Sequence, residues 1–409
     1  MRTSRFATCW CLLSLCVPLH AQGPAITVGV SAAFQGPSKF LGIELYRGSM
    51  AYLDSVNAAG GIHGRKVGLI PLNDGYNPGP AITNTIQLVE HDKVFLLFDY
   101  VGTPTVTRVL PLLKIYRSQD VFLFFPFTGA QPQREEPYNE YAFNLRASYR
   151  QETAGLVDNF VRIGRKRVAV FYQADAYGRS GWEGVRLALS KYNLQIVGEA
   201  TYRRGATFSD DFKPHVEILK AASPDAIISI GSYAPCAAFI RDARDAGWEV
   251  PIANVSFVGS GFLLDLLVAE GKKNKRDYTT NLINTEVVPS FEDLSLPAVR
   301  EYRELMDRYN PPPPEGFGAE TSDEFKYNYV SFEGFLNAKL LVEVLKRAGD
   351  PPERSKLRAG VESIHDLDLG IKTPISFGPG RNQGMDQVYF NTVQNDRFVP
   401  LTNWERWRP

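Results

Sequence analysis

"VFLFFPFTGA", Val121 to Ala130, decides how this chain folds. Five apolar residues run without a polar break, the habit of a short strand buried on both faces in a parallel sheet. Pro126 stops the run, because proline has no N–H to give to the next rung of a ladder. Beyond it stand an aromatic ring, a hydroxyl and a permissive glycine, Phe127, Thr128 and Gly129, then Ala130. Such residues suit a strand whose carboxyl end meets a guest molecule rather than solvent.

The same pattern recurs on either side. "ITVGVS", "VGLIPL" and "VFLLF" precede it; "RVAVFY", "QIVGEAT", "AIISI" and "IANVSF" follow. Each apolar run is followed by a segment of helical period. In Leu41 to Val56, for example, Leu41, Leu45, Tyr52 and Val56 fall near one face, with Gly48 allowing close approach. Strands alternating with helices give parallel sheets covered on both faces. Two such blocks occur, so the expected fold is α/β with two doubly wound, Rossmann-like lobes.

Three segments are candidates for passing between the lobes: "YAFNLRASYRQETAGL", with a helix starting near Tyr149, "TNLINTEVVPS" (Thr280–Ser290) and "LGIKTPISFGPG" (Leu369–Gly380). They divide the chain into a first lobe of residues 25–145 plus 285–368 and a second of 146–284 plus 369–409. Helices are expected over Pro297–Tyr309 and Phe325–Arg347.

Composition excludes several function classes. The chain has 409 residues, 44% hydrophobic and 22% charged, enough for large cores. Lysine plus arginine equals aspartate plus glutamate at 45 each, so the surplus positive charge that nucleic-acid binding needs is missing. Arg2 and Arg5 followed by "FATCWCLLSLCVPL" and "LHA" read as a secretory signal peptide over 1–21, cut near Ala21. That segment falls short of the roughly 20 apolar residues needed to span a bilayer, and no later one reaches them. Cys9, Cys11 and Cys16 leave with the signal, so Cys236 remains alone and reads as a small buried thiol. The five histidines show no ligand spacing, so no metal and no cofactor is expected. No GxGxxG follows the first strand, and neither GxxxxGK[ST] nor GxSxG occurs, which argues against an enzyme.

In open parallel sheets, ligands sit beyond the carboxyl ends of the strands. Four strand ends here carry an aromatic or hydroxyl beside glycine: Val101-Gly102-Thr103, Phe127 to Ala130, Gly231-Ser232-Tyr233, and Phe257 to Gly261. Thr103-Pro104 reads as helix cap and first helical residue.

"GVSAAFQGPSKFLG", "VNAAGGIHGRKVGLIPLNDGYNP", "VGTPT", "FFPFTGA" and "VAVFYQADAYGRSGWEG" together resemble the type I periplasmic solute-binding proteins, in the branch of the branched-chain amino acid receptors of ABC transporters. The resemblance covers nearly all of the chain after the signal. It implies two lobes joined by a three-segment hinge, closing on a small-molecule ligand that is delivered to an inner-membrane transporter, by a protein that is periplasmic, monomeric and not itself membrane-spanning. Carried over position by position, it places ligand contacts at Leu41, Val101, Gly102, Thr103, Phe127, Thr128, Gly129, Ala130, Tyr177, Tyr233 and Phe257. Tyr149 at the first crossing and Ser232 beside Tyr233 are added from the residues themselves.

Phe257 is the informative departure, for amino-acid-binding relatives place an acid there to pair with the ligand's ammonium group. Burying an ammonium without such a partner costs several kcal/mol, unless Asp74 or Asp175 compensates. The expected ligand is therefore apolar or weakly polar: an aromatic compound, or a lipid such as a sterol or terpenoid. The alternatives are a branched-chain amino acid or amide-type ligand, and a carrier or sensor working with a non-ABC partner.

Overall fold

The computed structural model describes residues 23–318 and 326–409; the expected signal peptide and the expected helix start at Phe325 lie outside the described residues. The first lobe opens with β1 (Ile26–Ala32), α1 (Lys39–Ala58), β2 (Val67–Asn73), α2 (Pro78–Ile86), β3 (Leu96–Phe98), α3 (Thr103–Ile115), β4 (Leu123–Phe124) and β5 (Ala142–Phe143). Its five strands make one sheet in the order β2-β1-β3-β4-β5, every neighbouring pair parallel.

The second lobe carries α4 (Tyr149–Arg162), β6 (Val168–Gln173), α5 (Ala176–Ser190), β7 (Gly198–Tyr202), α6 (Lys213–Ala221), β8 (Ala226–Ile230), α7 (Tyr233–Asp245), β9 (Ile252–Asn254), α8 (Ser260–Asn274) and β10 (Leu282–Glu286). The chain then forms α9 (Pro297–Tyr309), α10 (Tyr329–Arg347) and α11 (Leu357–Glu362), and ends in β11 (Tyr389–Gln394) and β12 (Arg397–Pro400). The second sheet runs β12-β11-β10-β9-β8-β6-β7; its last two strands by sequence are antiparallel additions that the apolar-run pattern did not signal.

Helix α10 packs on α1 of the first lobe through glycine. A Cβ on Gly48 would lie 1.8 Å from the Ser331 carbonyl oxygen, and one on Gly334 2.1 Å from that of Leu45. Backbone therefore meets backbone, as the reading of Gly48 anticipated. Asn328 caps α10, its side chain accepting from the Ser331 amide. Between the sheets, the segment after β5 runs beside the one before β11: the Asn144 amide donates to the Asn382 carbonyl at 2.7 Å, and the Met385 amide to that of Leu145 at 3.1 Å. Helix α4 starts at Tyr149 as expected, in a capping box built by Ser148 and Gln151. Among the described residues no helix is long and apolar enough to cross a membrane.

"VFLFFPFTGA" behaves as its composition suggests, with one surprise. Only Leu123 and Phe124 are strand, and Phe125 swings into the left-handed region at φ 54° before Pro126. A bulky residue there is a strained choice. The bend is held by a buried ring, packed 5.6 Å from Phe124 and 6.3 Å from Phe377, and by the Asn337 side-chain amide, which donates to the Phe125 carbonyl at 3.2 Å. Past the bend, Phe127 rejoins the pairing beside Val101 before the chain leaves the sheet.

Candidate ligand cleft between the lobes

Pairing continues past the ends of β3 and β4. The Gly102 amide donates to the Phe127 carbonyl at 3.1 Å, and the Phe127 amide to that of Tyr100 at 2.8 Å, so Val101 and Phe127 are locked side by side. Gly102 lies at φ 100°, and a Cβ there would stand 2.1 Å from the Tyr76 ring, so this position needs glycine twice over. The cap of α3 differs from expectation: Gly102 occupies it and Thr103 is the first helical residue. The Thr103 hydroxyl is instead 2.7 Å from that of Thr128. The Ala130 amide donates to the Thr128 hydroxyl, and the Tyr149 amide to the Gly129 carbonyl at 2.7 Å.

From the second lobe, Asp175 caps α5 by accepting from the Tyr177 amide, and the Tyr177 hydroxyl donates to the Gly231 carbonyl at 3.3 Å. Phe257 lies in a short 3-10 turn just past β9. These side chains meet ring on ring across the gap. Phe257 stands 5.3 Å from Phe127, 5.8 Å from Tyr76 and 4.7 Å from Tyr177, which is 5.2 Å from Tyr149. Each such pair is worth about 0.5–1.5 kcal/mol beyond the area it buries. A second group sits alongside: Leu41 packs on Gly259, and Phe40 reaches Tyr233 at 6.2 Å and Phe262 at 5.2 Å. Ser232 stands at the N-cap position of α7 without a side-chain cap bond, and its amide donates to the Tyr202 hydroxyl at 3.1 Å.

All the ligand-contact candidates named from the sequence are buried, and Phe127, Tyr149, Tyr177 and Phe257 are the ones whose rings meet. Others were missed. Tyr76, in "NDGYNP", belongs to the ring group, and its hydroxyl accepts from the Gln173 amide of the other lobe at 3.3 Å. Asp74 and Asp175 are already engaged: Asp74 accepts from the Ser31 hydroxyl and the Tyr76 amide, and Asp175 pairs with Arg204 at 3.2 Å.

The larger omission is a cluster of buried charge under the rings. Arg146, on the first crossing and 1% exposed, stacks on Phe127 with its guanidinium 4.6 Å from the ring centre. Its Nη2 donates to the Ser256 hydroxyl, and it faces Glu152 of α4 at 3.9 Å and Glu333 of α10 at 3.5 Å. Glu152 accepts from the Ser256 amide and hydroxyl and from the Thr285 hydroxyl. Burial raises the Glu333 carboxyl to about 7, against the pull of Arg146. Glu286, ending β10, is pushed well above the usual carboxylate range by burial, with Glu152 and Glu333 adding to it. Burial by itself would lower Arg146, but Glu333, Tyr149 and Glu152 outweigh it and keep the guanidinium charged. A lone acid inside the apolar helix "YVSFEGFLNA" was the available signal for Glu333.

Comparison with known proteins fits this geometry. Residues 25–397 match the model of a family described as periplasmic binding protein. A possible leucine/isoleucine/valine-binding protein from Rhodopirellula baltica superposes with a TM-score of 0.82 at 30% identity, covering 94% of this chain and 98% of its own. An amino acid binding protein from Pseudomonas aeruginosa is 25% identical over 223 residues, 54% of this chain and 58% of that relative's length. A Rhodopseudomonas palustris solute-binding protein solved with 4-hydroxybenzoate shares the fold at a TM-score of 0.74 and 18% identity, covering 92% of this chain and 95% of that one.

Proposed function

We propose, from the premise that this chain belongs to the periplasmic binding protein family, that it captures a small, mainly apolar organic molecule between its lobes and delivers it to an inner-membrane transporter. The ligand is an aromatic compound, or a lipid such as a sterol or terpenoid. The observation that carries this reading is Phe257, fully buried against Tyr76, Phe127 and Tyr177. A guest entering between the lobes exchanges ring–ring contact for ring–guest contact. Covering about 300 Å² of its hydrocarbon at roughly 25 cal/mol per Å² yields on the order of 7 kcal/mol before association costs. Thr103, Thr128 and Tyr149 offer hydroxyls to one polar end.

The lobes, divided at the three crossings, then move as bodies. The guest favours closure only by what it touches on both. The transporter reads the closed shape, no chemistry is performed, and the protein works in the periplasm as a monomer after its signal is removed. Phe257 offers the ammonium of an amino acid no charge, and Asp74 and Asp175 are committed elsewhere.

The test is mass spectrometry of small molecules released by denaturing the purified protein. Aromatic or lipid compounds in near-stoichiometric amount are expected; leucine, isoleucine or valine released instead would overturn the ligand assignment.

A further inference from the structure

The Arg146 guanidinium keeps two of its nitrogens, Nε and Nη1, without a hydrogen-bond partner, although the residue is 1% exposed. Glu333 draws Nη1 electrostatically at 3.5 Å, which leaves both donors open to an acceptor. The Tyr149 hydroxyl lies within reach of those of Thr103 and Thr128, which are themselves 2.7 Å apart. Buried donors in folded proteins are nearly always satisfied, and these adjoin the ring group rather than a remote core.

We infer that Arg146, with Tyr149, forms a carboxylate-binding floor to the cleft, so that the ligand is an apolar acid: an aromatic or aliphatic body carrying one carboxylate. This rests on the reading of the cleft as a ligand site and narrows its class. A guanidinium stacked on Phe127 presents its N–H edge beside the surface that would cover the body of such a molecule.

Charge around Arg146 agrees with an anion. Facing it are Glu152 from α4, Glu286 from β10 and Glu333 from α10, with Arg134 on the turn after β4 and Asp99 near Glu333. Tyr149 and Tyr177 complete the surroundings. Burial holds protons on Glu286 and Asp99 well past the ordinary range, while Arg134, though lowered to about 9 by burial and by Arg146, stays charged at neutral pH. With Glu333 protonated, the Arg146 guanidinium loses one competing anion at 3.5 Å and is open to a ligand carboxylate. When Glu333 ionises, near pH 7, it repels that carboxylate. Acid capture is therefore coupled to the proton on Glu333.

The experiment is calorimetric titration of the signal-free chain with matched acids, primary amides and amines on phenyl, cyclohexyl and octyl bodies, between pH 6 and 8. Acids are expected to bind at least tenfold tighter than their amides, with affinity falling about tenfold as pH rises. Glu333→Gln should keep acid binding and flatten the pH profile, and Arg146→Lys should weaken acids more than tenfold and amides by a clearly smaller factor. Equal loss of acids and amides in Arg146→Lys, tightest binding by amines, or an acid affinity that climbs with pH would overturn the assignment. Tight binding of amides without preference for acids removes this inference and leaves the apolar-ligand reading standing; no binding in any series removes both.

Discussion

The rings and the ions at the junction of the lobes are close neighbours with opposite physics. Phe127 touches both: Phe257 faces it across the gap and the Arg146 guanidinium covers it from the crossing. The ring group gains from burial at every contact and tolerates rearrangement, because apolar attraction has no direction. The ionic group depends on its partners, since each buried charge or donor is costly once one of them is removed. The proposed ligand, an apolar body with one head group, would call on both: adaptable walls for the body and a fixed floor for the head.

Removing a charge should separate the two groups most sharply. Arg146→Met leaves Glu152 buried without its cation, and a loss of about 3–5 kcal/mol in urea unfolding is expected. Adding Glu152→Gln should recover more than half of it; no recovery would mean that the pair is not the source. Truncating a ring costs less where two lobes can settle together: Phe257→Ala should lose about 3 kcal/mol by the same measurement. The smallest effect belongs to a proton. Glu333 in the folded chain titrates at about 7 against 4.5 for the free carboxyl, so the folded state holds its proton longer than the unfolded one. Its contribution is complete below about pH 4.5 and drains away as pH climbs to 7. Relative to wild type, Glu333→Gln should therefore gain stability on the order of 2 kcal/mol between those values, read from unfolding midpoints at each pH. A difference that does not change with pH would show that Glu333 is not the group titrating.

The ring group was legible in the sequence because each member follows its own strand. Phe127 after "VFLFF" and Phe257 after "IANVS" are found by reading where apolar runs stop. Tyr76 obeys the same rule after β2, but it stands in "NDGYNP", whose polar residues and proline have the composition of a turn. The ionic group follows no such rule. Arg146, Glu152, Glu286 and Glu333 come from a crossing, a helix start, a strand end and a distant helix, and only the return of the chain between lobes assembles them. Local pattern carries the alternation of strand and helix; it does not carry which polar residue a later segment will cover. For the same reason the antiparallel pair β11 and β12, attached beside β10, went unseen.

Helix α10 ties these observations to one rigid rod. Asn337 grips the Asp99 carboxyl at 2.7 Å and the carbonyl at the Phe125 bend, and Glu333, one turn earlier, faces Arg146. Sliding that rod by a fraction of an ångström would shift the kinked lip of the first lobe and the cationic base together, so neither can be reset without the other.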